Sequence, residues 1–443
     1  MKFKKTIGVL LLVSIILGMM TLPIAVSGAE VSPAQEYLDK QMEDYNVNGV
    51  AYITKNGKVI AQSTRGMANT SEGKEVTIDT LFPIGSNSKQ FCAVAIFMLN
   101  EQGKLSLDDT LSKYFPEYTA GADVTIRQML TMRSGIRDFQ EGAFREFEPT
   151  VGGTQEENQQ KILDWLNTKK LKFKPGGGYG YSNTNMLLLS MIIEKITGES
   201  YENFIKENIF APLGMVNSGF YEELVNHPDL CENKFPDLPS VVSSIDTKGC
   251  FQGSGDLVTN AKDMDRWLTS LRECTLISAE SMEEMTTVYT TNVEIINGIG
   301  VGYAYGIQVT ADNGVCHGGF IDTYVSATLS YFEEKVNVFV VANDDQSVQI
   351  DMQDLAHRIS VKLKETKICG DVNTDMNVNV KDATVIQKAS AELITLSEIE
   401  TLCANVNGDS VVNVRDATEI QKYVAGFALN SECGKSMIIA EDK

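Results

Sequence analysis

The chain has 443 residues, of which 43% are hydrophobic, and its 59 acidic and 38 basic side chains leave a formal charge of −21. That balance argues against nucleic acid or an anionic membrane as partner, while the apolar content is ample for a real core. The length is too great for one small domain and predicts a large catalytic unit with something appended.

Residues 1–29 read as a signal peptide: Lys2, Lys4 and Lys5 precede an apolar run from Ile7 to Met20, and Ser27 and Ala29 suit cleavage before Glu30. The run is short for a membrane span. The expectation is a secreted, extracellular protein with no membrane partner after processing, its charge moved to −24 by loss of three lysines. Eight cysteines in an exported chain permit disulfides without requiring them. The absence of any Cys-x-x-Cys disfavours a zinc ribbon. Cys92 lies in an apolar run and reads as a buried thiol, whereas Cys231 and Cys250 bracket a Pro-rich loop and form a candidate pair.

A short helix is expected from about Ala34 to Tyr45, then two β-rich runs, Val50–Thr54 and Val59–Ser63, flanking Asn56-Gly57. Asn-Gly between such runs is a strong hairpin signal. Helical patterns dominate from Phe91 to about Pro212, clearest at Ile162–Leu166 and Asn185–Ile193. Strand character returns beyond Tyr303, at Tyr305–Val309, Tyr324–Leu329 and Val336–Ala342, and Leu355–Leu363 reads as a closing helix. Strands at both ends with helices between imply an α+β fold, one antiparallel sheet carrying an inserted helical region.

Within this frame, Ser86 falls at the start of an apolar helix with Lys89 three residues on, over the same face. A desolvated lysine can take the proton that makes serine a nucleophile. Ser71 and Lys74 share the spacing in a polar, Gly-containing stretch and read as a solvated turn. The loop Phe173–Gly180 delivers Tyr181, a candidate proton relay if a nearby lysine lowers its pKa, and Asn183, a donor and acceptor for an amide or ester. Tyr201 and Asn203 repeat that pattern on an expected helix surface. Of three histidines, only His317 leads into a strand, followed by Gly318 and Gly319, which would let substrate lie close to the backbone. His227 and His357 read as surface residues.

Together, Ser86-x-x-Lys89, Tyr181-x-Asn183 and His317-Gly318-Gly319 resemble the three ordered motifs of the serine β-lactamase and penicillin-binding-protein superfamily, nearest its class C branch, over about residues 33–363. The branch includes D-alanyl-D-alanine carboxypeptidases, D-aminopeptidases and esterases. The resemblance implies that Ser86 forms an acyl-enzyme, that Lys89 and Tyr181 share the proton transfers, and that Asn183 and His317 orient substrate. It also implies an oxyanion hole from the Ser86 and Phe320 N–H groups, beside Gly319, with no metal in catalysis. β-Lactamases usually carry Lys-Thr-Gly at the third motif. Here His317 is at most partly charged and Gly318 has no hydroxyl, which favours an esterase or D-amino-acid peptidase over a true β-lactamase. A catalytically silent binding domain is the reading from another class.

A repeat with a period of 34 begins at residue 369, pairing Val380–Lys388 with Val414–Lys422. Oxygen-bearing side chains fall at loop positions 1, 3, 5, 9 and 12: Asp371, Asn373, Asp375, Asn379 and Asp382, then Asn405, Asn407, Asp409, Asn413 and Asp416. This is the ligand spacing of two calcium loops. Position 6, usually Gly, is Met376 or Ser410, which predicts strain. The pattern resembles a type I dockerin, a small all-α module over residues 369–430, with 364–368 as a short linker and 431–443 as a tail. That implies two Ca2+ ions and a cohesin partner on a cellulosome-type scaffold, with Val380, Lys381, Val414 and Arg415 where the family carries cohesin specificity. Cys433 could bridge Cys369 or Cys403, clamping the module ends.

Overall fold

A computed structural model describes residues 32–141, 153–233, 248–343, 352–427, 429 and 431–438. The expected signal segment and most of the loop between Cys231 and Cys250 lie outside them. Among the described residues no helix is long and apolar enough to cross a membrane.

The first helix, α1 (Pro33–Asp44), starts where Ser32 accepts the Gln35 amide and proline occupies the first turn. Each satisfies or removes an otherwise orphaned N–H. β1 (Gly49–Lys55) and β2 (Lys58–Arg65) form the expected hairpin, with Asn56 and Gly57 at φ 50° and 71°. The rest of the main sheet comes from the far end of the chain: β3 (Thr290–Ile296), β4 (Ile299–Tyr303), β5 (Gln308–Thr310), β6 (Val315–Ile321), β7 (Tyr324–Tyr331) and β8 (Val336–Asn343). The order is β2-β1-β8-β7-β6-β5-β4-β3, antiparallel throughout. β8 is buried along its whole length, matching its apolar run from Val338 to Ala342. β1 shows the sheet's two faces: Val50 and Tyr52 enter one core cluster, Ala51 and Ile53 the other.

One cluster lies under the inserted helices, including α2 (Lys89–Glu101), α3 (Asn183–Thr197) and α4 (Ala261–Arg272). The other lies under α1 and the closing helix α5 (Met352–Leu363). α2 is buried on nearly every side, as its all-round apolar sequence requires.

Four local expectations are corrected. Tyr305 and Gly306 precede β5 rather than beginning it, because Gly306 turns at φ +67° where an added Cβ would lie 2.8 Å from the Ala93 Cβ. His357 is buried at 6% exposure, held between Asn297 and Asp312. Tyr201 is fully buried rather than on a helix surface. All eight cysteines are free thiols: Cys231 sits against the Asn343 amide, and the thiols of Cys250, Cys369, Cys403 and Cys433 are likewise unbridged.

The C-terminal repeats form α6 (Val380–Ser390) and α8 (Val414–Val424), with α7 (Glu398–Ala404), not anticipated from the sequence, leading into the second loop. Their core joins Val372, Ala383, Ile386, Val406, Ala417 and Ile420. Residues expected as linker and tail pair with one another: Thr366–Ile368 runs antiparallel to Ser436–Ile438. The Lys55 ammonium donates to the carbonyls of Lys364 and Thr366, and Met376 is buried in the core cluster shared with α1 and α5.

Candidate active site

Ser86 sits in a 3-10 turn, Gly85–Ser88, that runs directly into α2. The turn is fastened to the sheet by a closed set of polar contacts. The Ser326 hydroxyl donates to the Ile84 carbonyl at 2.8 Å, while Asn87 donates to Ser326 Oγ at 2.8 Å and accepts from Thr328 and Gln90. Satisfied buried networks of this kind hold one geometry. Gly85 has φ +51°, and an added Cβ would lie 2.8 Å from the Phe320 nitrogen. The backbones that carry the Ser86 and Phe320 N–H groups are thereby brought together.

Lys89 projects from the first turn of α2. Its Nζ donates to Ser86 Oγ at 2.9 Å and to the Ser254 carbonyl at 2.7 Å. Burial lowers its pKa from 10.5 to about 7, against opposing attraction from Asp138, Cys92 and Asp256. Lysine is therefore largely an amine at mildly alkaline pH. Tyr181 reaches the same hydroxyl, and the Lys89 ammonium lies 5.0 Å from its ring centroid. Its phenol is pushed up, chiefly by burial and only partly offset by the Ser86 hydrogen bond. The condition that a nearby lysine lower it is not met, because burial raises it most. Tyr181 stays protonated.

The glycine-rich loop that delivers Tyr181 is pinned by backbone bonds from Gly176 to Arg133 and from Gly180 to Met132. Asn183 then opens α3, with its backbone N–H and Nδ2 both donating to Asp138 Oδ2, at 2.9 and 3.0 Å. Asp138 is 6% exposed, and its Oδ1 accepts the Gln140 amide. No local pattern in the sequence marks Asp138, Gln140 or the Ser254 carbonyl as belonging to this site.

The third motif occupies β6. β5 pairs with it only at Val315 and Cys316, so the half from His317 to Ile321 is unpaired on that side and borders the Ser86 turn. The two glycines answer to the protein's own packing. A Cβ on Gly319 would lie 2.0 Å from the Ile84 carbonyl, and one on Gly318 would lie 2.3 Å from Gln353 Oε1. His317 is turned inward, 3% exposed, with Nδ1 on the Gly318 carbonyl and Nε2 facing the Tyr303 hydroxyl. Burial, then the Lys89 charge, lowers its pKa to about 3. It is neutral at working pH, and the rings of Tyr303 and Tyr181 pack around it. Ser86 itself opens into a cavity of about 120 Å³ lined by Gln140, Asn183, Phe251, Phe320 and Asp322 among others. By contrast, Ser71 lies in an exposed turn and Lys74 is paired with Asp229.

In the C-terminal repeats, Asp371 accepts from the Asp375 and Met376 amides, and Asp382 accepts from Val372, Asn373 and Asn379. Burial, with repulsion from Asp382 and Asp375, pushes the Asp371 carboxyl up to about 6. A cation would relieve that repulsion. In the second loop Asn405 Oδ1 is buried with no hydrogen-bond partner, an orphaned oxygen that suits a cation. The oxygen sets therefore fit calcium. Asn379 and Asn413 also cap α6 and α8, accepting from Lys381 and Arg415. Met376 and Ser410 have φ 62° and 69°, the left-handed backbone that glycine usually supplies. Val380 and Val414 occupy equivalent positions and are equally exposed, at 58%, with Lys381 and Arg415 exposed beside them.

The family model for Beta-lactamase matches residues 34–361, and that for the Dockerin type I domain matches residues 369–426. The putative penicillin-binding protein PbpX of Bacillus subtilis strain 168 is 28% identical over 251 residues, 56% of this chain and 61% of that protein. Penicillin-binding protein 4* of the same organism is 27% identical over 326 residues, covering 69% of this chain and 70% of that one. The chain thus spans about six- to seven-tenths of these relatives. Among solved structures, the octameric penicillin-binding protein homologue from Pyrococcus abyssi superposes with TM-score 0.62 at 29% identity, covering 74% of this chain and 76% of that one. The D-amino acid amidase from Ochrobactrum anthropi SV3, at 22% identity and TM-score 0.59 over 75% of this chain and 99% of that one, shares the fold.

Proposed function

Because the chain belongs to the beta-lactamase family and carries a type I dockerin domain, we propose that it is a serine hydrolase, cleaving an amide or ester through a Ser86 acyl-enzyme while docked on an extracellular cohesin-bearing scaffold. The observation that carries this reading is the Lys89 amine, 2.9 Å from Ser86 Oγ and brought to a pKa of about 7 by burial. Lys89 takes the hydroxyl proton as Oγ attacks the carbonyl carbon. The oxyanion is received by the Ser86 and Phe320 N–H groups. Lys89 returns the proton through Tyr181 to the leaving group, whose bond to the acyl carbon breaks, and water then hydrolyses the acyl-enzyme by the same route. Asn183 contacts the substrate. Two calcium ions held by the repeat loops, through Asp371, Asn373, Asp375, Asn379 and Asp382 and their counterparts from Asn405 to Asp416, stiffen the module. The cohesin is met by Val380, Lys381, Val414 and Arg415.

The site offers no permanent cation or hydroxyl at the third motif, since His317 is neutral and Gly318 has no side chain. A carboxylate-bearing lactam is therefore a poor fit. In a panel of p-nitrophenyl acetate, D-amino acid amides, D-alanyl peptides, acetylated xylan and nitrocefin, nitrocefin should be the slowest by about 10-fold or more, on the scale of one lost charged contact. Nitrocefin turnover matching the best substrate would sink this part of the reading. Labelling by a fluorophosphonate tests the nucleophile directly.

The pH profile follows from Lys89. Below its pKa the side chain is an ammonium and cannot accept the Ser86 proton, so kcat/KM should rise with pH through a single acid limb centred near 7. Because His317 is neutral well above its pKa of about 3, the limb should persist in His317→Asn. Its disappearance in that variant would assign the base to the imidazole instead.

A further inference from the structure

We propose that Asn407-Gly408, in the second calcium loop, is a self-modifying site: while that loop is without calcium it converts through a cyclic imide, largely to isoaspartate, and the second calcium site is then lost for good. The inference goes beyond the proposed function and rests on its calcium reading.

Asparagine followed by glycine is the pair most prone to this chemistry, because no side chain screens the glycine nitrogen from the asparagine Cγ. The chain has five such pairs, and the fold restrains four of them. Asn48 donates to the Asn343 carbonyl and accepts the Met67 N–H. Asn297 is held by the Asp354 carbonyl and by Arg358. The Gly314 nitrogen that follows Asn313 is committed to Thr310 Oγ1 at 2.7 Å. Asn56-Gly57 is fixed in the hairpin turn between the paired Lys55 and Lys58, with the Asn56 N–H on the Lys335 carbonyl.

Asn407-Gly408 has none of these restraints. Gly408 is exposed at φ 72°, and a Cβ there would meet nothing within 4 Å. Its N–H donates no hydrogen bond among the described residues. The Asn407 side chain bonds only to Asp409: Oδ1 accepts the Asp409 N–H at 2.9 Å, which polarises the carbonyl, and Nδ2 donates to Asp409 Oδ2 at 3.2 Å. The first loop is the matched control. Asn373 makes the same two bonds to Asp375, at 3.0 and 3.1 Å, but Thr374 follows it, and its branched side chain crowds the attacking nitrogen.

In the reaction the Gly408 nitrogen bonds to Asn407 Cγ, the Cγ–Nδ2 bond breaks, and ammonia leaves with the proton that Gly408 gave up. Water then opens the imide, at Cγ to give aspartate or at the main-chain carbonyl to give isoaspartate. Aspartate keeps an oxygen at loop position 3. Isoaspartate lengthens the main chain by one carbon and shortens the side chain, so the ligand spacing is lost. Val414 and Arg415, which that loop carries into α8, lose their support with it. Calcium stops the first step by holding Asn407 Oδ1 on the ion.

The test stores full-length protein at neutral pH with excess calcium or with EDTA and samples it over weeks. Peptides carrying Asn407 and Asn373 are scored by mass and by isoaspartyl methyltransferase labelling. Each sample is also exchanged out of EDTA and titrated calorimetrically with calcium. At roughly 100 times Kd only about 1% of the loops are free, so Asn407 should convert about 100-fold more slowly than in EDTA. Asn373 should stay intact in both arms, and in the EDTA arm the calcium sites should fall from two toward one in step with isoaspartate. Gly408→Thr, which copies the residue the first loop carries at φ 57°, should stop the conversion and keep both sites through EDTA storage. The two wild-type arms decide the matter if that variant does not fold. Equal conversion of Asn407 in both arms, or an Asn407 as durable in EDTA as Asn373, overturns the proposal and leaves the calcium reading intact where fresh protein binds calcium. Fresh protein that binds no calcium overturns both.

Discussion

Ser86→Ala should lower kcat/KM by about 10^4-fold or more and abolish fluorophosphonate labelling, the scale seen when a nucleophile is removed from a covalent mechanism. The thermal midpoint should barely move. Ser86 faces the cavity and makes its contacts to Lys89 and Tyr181, so its loss removes no core packing. Two nearby serines calibrate the result. Ser71→Ala should change nothing, since its hydroxyl bonds only to Asn69 in an exposed turn. Ser88→Ala should do the reverse, costing about 1–3 kcal/mol of stability, because its buried hydroxyl donates to Gly85 and accepts the Leu257 amide. Wild-type hydrolysis by Ser86→Ala at an unchanged midpoint would show that the nucleophile lies elsewhere.

Calcium removal should have the second large effect. EDTA is expected to abolish cohesin binding, because the loops around Asp371 and Asn405 lose the charge that offsets their crowded oxygens. It should also lower the thermal midpoint of the hydrolase by a few degrees, since Met376 of the first loop is 2% exposed and packed in the hydrolase's own core cluster. Hydrolysis at 25 °C should survive, as the Ser86 constellation contains no loop oxygen. Met376→Gly separates the two contributions. Glycine suits φ 62° and should keep calcium affinity, while loss of the buried thioether should lower the hydrolase midpoint even with calcium present. Calorimetry with and without EDTA, beside an ester assay on the same samples, reads both. A hydrolase midpoint indifferent to EDTA and to Met376→Gly would mean that the two parts do not support one another.

What could be read from the sequence followed the range of each interaction. Ser86 with Lys89, and Tyr181 with Asn183, are local pairs whose spacing carries their geometry, and so are the repeated calcium loops. Asp138 meets Asn183 across 45 residues, with no periodic or composition signal to join them. The β3–β4 hairpin escaped notice although Asn297-Gly298 turns it at φ 46° and 83°. β3 is half-exposed and lacks an alternating apolar pattern. His357 looked solvent-facing beside Arg358, yet α5 is packed over enough of its surface to bury that position as well. The strain expected at Met376 is present as a left-handed backbone, but its compensation, burial in a distant core, is a tertiary fact.

The clasp between Thr366–Ile368 and Ser436–Ile438 fixes how the β-lactamase-family domain is carried by the dockerin domain. Only Lys364 and Glu365 separate the end of α5 from that strand, a span of roughly 10 Å even when extended. Most of the swing that a long flexible tether gives an appended module is therefore absent. Once seated on a cohesin, the mouth of the Ser86 cavity points in a direction set by the cohesin itself, like a tool on a rigid shank.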